Sequence, residues 1–139
     1  MQHIYLVACA GTKQDTPAPA KDLYISSLFS KSREYAQNNA DSWFILSAKH
    51  GLLHPDTVTA PYNLTVNTMP RAERRIWAKQ VLHNLKPLLE EGDNVTLLAG
   101  KRYREDLVTP LEAQGCVIHL PLDGLSIGKQ LQWLNQANT

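Results

Sequence analysis

The chain has 139 residues, 43% of them hydrophobic, and its 14 Lys and Arg against 13 Asp and Glu give a formal net charge of +1. That length supports one ordinary domain around one core, and the balanced charge rules out bulk electrostatics as a guide to nucleic acid, so only a local basic patch would point there. Two cysteines, Cys9 and Cys116, are too few and too far apart for a disulfide framework and sit in no metal-ligand spacing, which fits a reducing cytoplasm.

In chain order, Ile4 to Ala10 is the first of four short apolar runs that read as strands; the others are Trp43 to Ala48, Val95 to Ala99 and Val117 to Leu122. The first three are continuous enough to be buried on both faces, the pattern of parallel strands covered by helices. Asp22 to Asn38 is the first predicted helix, with Asp22 as its N-cap and Leu28, Phe29, Tyr35 and Ala36 as apolar positions. A second opens near Pro70 and ends before Gly92, with Ile76, Trp77, Val81, Leu82, Leu85 and Leu88 or Leu89 at helical spacing and Arg71, Arg74, Arg75 and Lys79 on the opposite side. Tyr103 to Gln114 reads as a third helix, interrupted or restarted near Pro110, and Ile127 to Asn135 as a fourth with Ile127, Leu131 and Leu134 inward. No signal peptide and no run long enough to span a bilayer is seen, so a soluble cytoplasmic protein with no membrane partner is expected. The alternation predicts an α/β protein: one domain over residues 1–139, a three-layer α/β/α sandwich around a four-stranded, mainly parallel sheet.

In such folds ligands bind beyond the carboxyl ends of the strands, so the residues after each strand matter most. They are Cys9, Ala10, Gly11, Thr12 and Lys13; then Ser47, Ala48, Lys49, His50 and Gly51; then Gly100, Lys101, Arg102, Tyr103 and Arg104; and finally Asp123 to Lys129, with Gly128. Each edge carries glycine plus lysine or arginine. A single such lysine is an ordinary solvated charge, but four coincident edges would gather Lys13, Lys49, Lys101 and Lys129 into one basic rim, which implies a phosphate-bearing ligand. The first edge lacks the spacing of a P-loop, so nucleoside triphosphate binding has no support there.

The segment Leu46 to Leu64 resembles the strand-and-loop motif L-S-x-x-Y-G-x-L-x-P followed by P-Y-x-L of the YaaA-type peroxide-stress proteins, through Ser47, Gly51, Leu53, Pro55, Pro61, Tyr62 and Leu64. The whole chain is similar to a small uncharacterised bacterial family that combines C-[SA]-x-T-K, S-A-K-[YH]-G-L-L, L-A-G-x-x-Y-R and G-I-G-x-Q-L-x-W-L, present here at Cys9 to Lys13, Ser47 to Leu53, Leu98 to Arg104 and Ser126 to Leu134. His50 stands where that family commonly has tyrosine. The strand layout also resembles the uracil-DNA-glycosylase-like superfamily. That resemblance implies a cleft for a flipped-out base, served by loops after the strands. The chain carries neither the G-Q-D-P-Y-type nor the H-P-S-type loop of that superfamily, so no catalytic residue is carried over from it.

Breaking an N-glycosidic bond needs an anion near the sugar, donors near the departing base and a positioned water. Asp15, Asp56 and Asp123 each follow a strand end, and Asp123 is the preferred carboxylate, although aspartates in loops commonly just form turns. Lys49 and His50 are the expected donors to the base, with Asp123 completing the catalytic set. Tyr62 offers a ring for stacking and Asn63 an amide for a base edge, while Lys101 and Arg104 suit phosphate. Cys9, Gly11, Thr12, Lys13, Ser47, Gly100 and Gly128 complete the expected substrate-binding set. Cys9 beside Lys13 is open to two readings, a thiol nucleophile or ordinary core packing. Lys13 or Lys49 would also suit a Schiff base with a sugar aldehyde. No cofactor is expected. Metal catalysis is disfavoured, because the five histidines are scattered and the pair His50 and His54 lies in a proline-bounded loop. The expected function is base processing on DNA, RNA or a nucleotide, most concretely a DNA N-glycosylase acting on a modified base in repair or in defence against foreign DNA. The alternative is a non-catalytic DNA- or nucleotide-binding domain acting under stress.

Overall fold

The computed structural model describes residues 1–9 and 11–139. Ala10, which closes the first predicted strand, lies outside the described residues. The elements are β1 (His3–Ala8), β2 (Ala18–Pro19), α1 (Ala20–Leu23), α2 (Ser27–Asn39), β3 (Ser42–Ser47), β4 (Gly51–Leu53), β5 (Val58–Thr59), α3 (Arg71–Leu85), β6 (Asn94–Leu98), α4 (Lys101–Ala113), β7 (Val117–His119) and α5 (Ile127–Ala137). Short 3₁₀ turns cover Val66–Thr68 and Lys86–Leu88.

The main sheet has five strands, not four, in the order β4-β3-β1-β6-β7. All neighbours are parallel except β4, which pairs antiparallel with β3. A separate ribbon joins β2 to β5. Ile4 to Val7 and Val95 to Leu98 are buried without a break, so both faces of β1 and β6 are covered. Right-handed crossovers account for this: the chain moves from β1 through α2 to β3, then returns past β1 through α3 to β6, which puts α2 and α3 on opposite faces. α5 packs on α2, and α4 on α3.

The extra strand answers why β3 gives way to Lys49 and His50. The chain does not end a strand there but reverses: Ser47 pairs with Gly51, and Ala48, Lys49 and His50 form the turn between them. Gly51, at φ +69°, takes the left-handed conformation that such a three-residue hairpin loop needs at its close.

Other boundaries also shift. The cap of α2 is Ser26, whose Oγ accepts the Phe29 N–H at 3.3 Å, whereas Asp22 sits in the separate turn α1. α4 runs unbroken through Pro110. The last parallel strand stops at His119 and is mostly exposed. On α3, Ile76 is 60% exposed, while Arg74 is turned inward and paired with Glu105 of α4. The phase of the helix, set by Trp77, Ala78, Val81 and Leu85, leaves Ile76 outside the buried arc. Ile127, expected inward, is exposed at the start of α5. Among the described residues, no helix is long and apolar enough to cross a membrane.

Candidate functional site

β1 is followed by β3 on one side and β6 on the other, so the carboxyl ends of β1 and β6 diverge, the position where open α/β sheets hold ligands. A cavity of about 450 Å³ lies there. Cys9, Gly11 and Lys13 line it from the end of β1, Ala99, Gly100 and Tyr103 from the end of β6, and Asn63, Leu64, Thr65 and Asn67 from the segment before α3. Leu28 and Ser32 of α2 and Ile127 and Gln130 of α5 close it opposite. Among the described residues no carboxylate lines the cavity, and Lys13 is the one charged residue that does. Gly100, the N-cap of α4, offers no side chain to the first turn, so the positive end of that helix is open toward the same space.

Below the cavity the polar groups form a hydrogen-bonded chain. The His50 N–H donates to Ser47 Oγ at 3.1 Å, Ser47 Oγ lies 2.7 Å from Tyr62 Oη, and the Tyr62 hydroxyl donates to Cys9 Sγ at 3.6 Å. Tyr24 Oη joins Tyr62 Oη at 2.6 Å. From the other side Tyr103 Oη lies 3.7 Å from Cys9 Sγ and accepts the Val66 N–H at 3.4 Å. Burial, reinforced by the neighbouring Cys9, pushes the Tyr24 phenol up to about 12. The same two causes push Tyr62 and Tyr103 further upward. All three phenols therefore keep their protons at neutral pH and remain hydrogen-bond donors. The segment between Tyr62 and Asn67 is held at both ends, since Val66 is fully buried and the Arg102 guanidinium donates to the Asn67 carbonyl at 3.1 Å. Lys13 Nζ sits 4.7 Å from the centre of the Tyr62 ring, a cation–π contact that fixes the ammonium beside the cavity.

Of the residues singled out in the sequence, Cys9, Gly11, Lys13, Asn63 and Gly100 line the cavity. Ser47 and Tyr62 lie behind it, in the chain of hydroxyls. Thr12 is exposed and uses its carbonyl to accept the Ile25 N–H. Lys49 and His50 are on the exposed turn outside the cavity, the His50 ring edge-on to Tyr62 at 5.6 Å. Partial burial, then the Lys49 charge, lower the His50 pKa, so its imidazole is neutral at physiological pH. Lys101 and Gly128 are exposed and do not line the cavity. Arg104 spends its guanidinium on Asp123, 2.5 Å away, and Asp123 is an exposed turn residue outside the cavity. The expected basic rim thus contracts to Lys13 and the α4 terminus.

Five contributors escaped sequence reasoning: Tyr24, Ser32, Thr65, Asn67 and Gln130. Ser32 carried a signal, because it falls on the inward stripe of α2 with Phe29 and Ala36, where a polar residue needs a reason. Both cysteines are buried free thiols. No cluster of three or more His, Cys, Asp or Glu suited to a metal occurs among the described residues.

A family model described as "Family of unknown function (DUF6884)" matches residues 4–136, nearly the whole chain. The chain belongs to this family. It is also 32% identical over 124 residues to "Uncharacterized protein YfjM" of Bacillus subtilis (strain 168), an alignment that covers 87% of this chain and 81% of that protein. No solved structure matches. The family match takes in every residue of the cavity wall and of the hydroxyl chain beneath it.

Proposed function

We propose that this protein binds one phosphorylated nucleoside unit, either free or turned out of a nucleic-acid strand, in the cavity between the ends of β1 and β6. The observation that carries the reading is the pairing of a 450 Å³ cavity of mixed polarity with the open N-terminus of α4 and Lys13, and with no carboxylate in its wall. A space of that size accepts a base and sugar. A helix terminus and one cation favour the phosphate, and an all-neutral or basic wall does not repel it. Asn63, Asn67 and Gln130 supply the amides that a base edge needs. Kinship with the YaaA-type proteins and a uracil-DNA-glycosylase-like arrangement belong to the same proposal. They are supported by the parallel order of β3, β1, β6 and β7 and by the loops that carry the cavity.

Base processing at this site, by cleavage of an N-glycosidic bond, is the second reading. It is favoured by Lys13 and Asn63 both lining the cavity, where a departing base would be met by donors. The reading does not rely on Asp123, which is outside the cavity and paired with Arg104. The test is equilibrium binding of nucleoside monophosphates and of oligonucleotides bearing a panel of modified bases, with abasic sites scored in parallel. Binding that is lost in Lys13→Ala supports the site, and release of a base adds the enzymatic reading. Absence of binding to every member of the panel ends both.

A further inference from the structure

The near-neutral total charge conceals a polarised molecule. At the amino-terminal edge of the sheet, exposed carboxylates gather: Asp41 before β3, Glu90 and Glu91 before β6, and Glu112 at the end of α4, with Lys86 beside them. At the carboxyl edge, around the cavity, cations predominate. Lys101 and Arg102 open α4 directly after Gly100, which lines the cavity, and the Arg102 guanidinium reaches the carbonyl of Asn67, another lining residue. Arg71 and Arg75 stand at the start of α3, which begins four residues after Asn67. The Arg74–Glu105 ion pair joins the two helix starts. Arg71 lies one turn before Arg74 and Lys101 one turn before Glu105, so these cations flank that junction. All four are exposed, and among the described residues none of them forms an ion pair.

Exposed carboxylates near this edge do little to offset them. Asp123 is paired with Arg104, Asp15 belongs to the loop between β1 and β2, and Glu73 lies two residues from both Arg71 and Arg75, hence on the opposite side of α3. Two observations call for more than a mononucleotide. The four cations lie outside the cavity, so a phosphate met by Lys13 and the open terminus of α4 leaves them unused. Leu64 and Ile127 line the cavity and are nonetheless 43% and 67% exposed, which places them at its mouth, where a single nucleotide would leave them in water.

We propose that the nucleoside unit reaches the cavity as part of a single strand of nucleic acid, whose neighbouring phosphates lie along Arg102, Lys101, Arg71 and Arg75. The inference rests on the nucleoside-phosphate reading above and chooses the strand over the free nucleotide. Three of the four cations are arginines, whose planar guanidinium meets two phosphate oxygens at once. Arg102 uses one nitrogen on Asn67 and keeps its other donors. Contacts of this kind hold the backbone without reading sequence, which leaves recognition to the cavity. An unpaired strand presents its base without a duplex having to be opened. The carboxylates at the far edge repel the same polyanion, so the charge separation turns the mouth toward it on approach.

The experiment measures equilibrium binding of the full chain to labelled DNA and RNA single strands of about 12 nucleotides, and to nucleoside monophosphates as the free unit. In low salt a strand should bind at least about tenfold more tightly than the monophosphates. The double variant Arg71→Gln/Arg75→Gln should lose about tenfold in strand affinity and flatten the slope of log affinity against log salt by roughly 1.4, at about 0.7 per phosphate contact. Its monophosphate affinity should stay within about twofold of the wild type, because neither arginine lines the cavity. Lys86→Gln, at the opposite edge, should change neither. The DNA and RNA arms identify which strand supplies the unit, and tight binding in either supports the inference. Equal affinity for strand and monophosphate, or a salt slope unmoved by the double variant, overturns it and leaves the proposed function standing. Equal affinity for the fully paired duplex overturns the single-strand assignment, and binding to phosphatidylserine vesicles that falls equally in the double variant gives the surface to membranes instead. A chain that binds no strand and no monophosphate overturns this inference and the proposed function together.

Discussion

The hydroxyl of Ser47 lies 2.7 Å from the phenol oxygen of Tyr62. Ser47 is the last residue of β3 and fully buried, and its carbonyl also accepts the Trp77 indole N–H at 2.8 Å. The hairpin, the cavity wall and α3 therefore meet at one serine.

Removing the oxygen at either end of this contact leaves buried partners unsatisfied. Tyr62→Phe strands the hydroxyls of Tyr24 and Ser47, and Ser47→Ala strands the His50 N–H. Each variant should lose about 1–3 kcal/mol of unfolding free energy. Urea denaturation measures it, and because the groups share one network the double variant should lose less than the sum of the singles.

Gly11 and Gly100 both line the cavity but should respond differently to alanine. Gly11 has φ +69°, and a Cβ there would come within 2.8 Å of Ser26 Cβ, so Gly11→Ala should cost about 1–3 kcal/mol and disturb the wall. A Cβ at Gly100 meets nothing within 4 Å. Gly100→Ala should stay within about 0.5 kcal/mol of the wild type in a thermal melt while weakening nucleotide binding, since the methyl group projects where the phosphate is proposed to sit.

Asp123 and Arg104 form an exposed ion pair, with Asp123's side chain 60% accessible. Asp123→Asn should change stability by less than about 1 kcal/mol. It should also leave any base release or nucleotide binding intact, because the residue is outside the cavity. A large loss of base release in this variant, measured in single-turnover experiments, would restore Asp123 to the catalytic role expected from sequence.

Asp93 contributes to stability against acid. Its carboxylate accepts from the side chain and backbone of Gln2 and from the Glu90 N–H, and these bonds, the Gln2 side chain first, hold its pKa below the ordinary 3.8. Because the folded value is the lower one, the stabilisation is complete above the ordinary value and is lost as pH falls through the depressed one. Asp93→Asn should flatten the acid limb of a stability–pH profile below about pH 4 and leave its slope near neutrality unchanged.

How far the sequence could be read depended on whether burial or register decided the outcome. β1, β3 and β6 were legible because strands covered on both faces must be largely apolar, and Ile4 to Val7 and Val95 to Leu98 are buried without a break, with Thr96 the one polar residue among them. β4 was not, since three residues after a polar turn carry too little periodicity, and only the positive φ of Gly51 marks the reversal. The same distinction sorts the site. Cys9, Lys13, Asn63 and Gly100 reach the cavity because strand direction brings the ends of β1 and β6 together with the segment before α3. Lys49 and His50 follow a strand just as closely, but the turn carries them away from the cavity, and Arg104 is taken up by Asp123 one turn into α4. On α3 the choice between Ile76 and Arg74 was a question of helix phase, which Glu105 on a neighbouring helix helps to settle and a single helix cannot.

The wall between Tyr62 and Asn67 is fastened at one end by phenol and serine hydroxyls and at the other by a buried valine and an arginine. A wall anchored in this way has already lost its conformational freedom before anything enters. The occupant then pays little ordering entropy on arrival, and selectivity is a matter of shape held in advance. Association should be limited by encounter with the mouth, with no loop closure to wait for. Cutting either fastening would trade that stiffness for tolerance, giving a protein that admits more ligands and holds each of them less tightly.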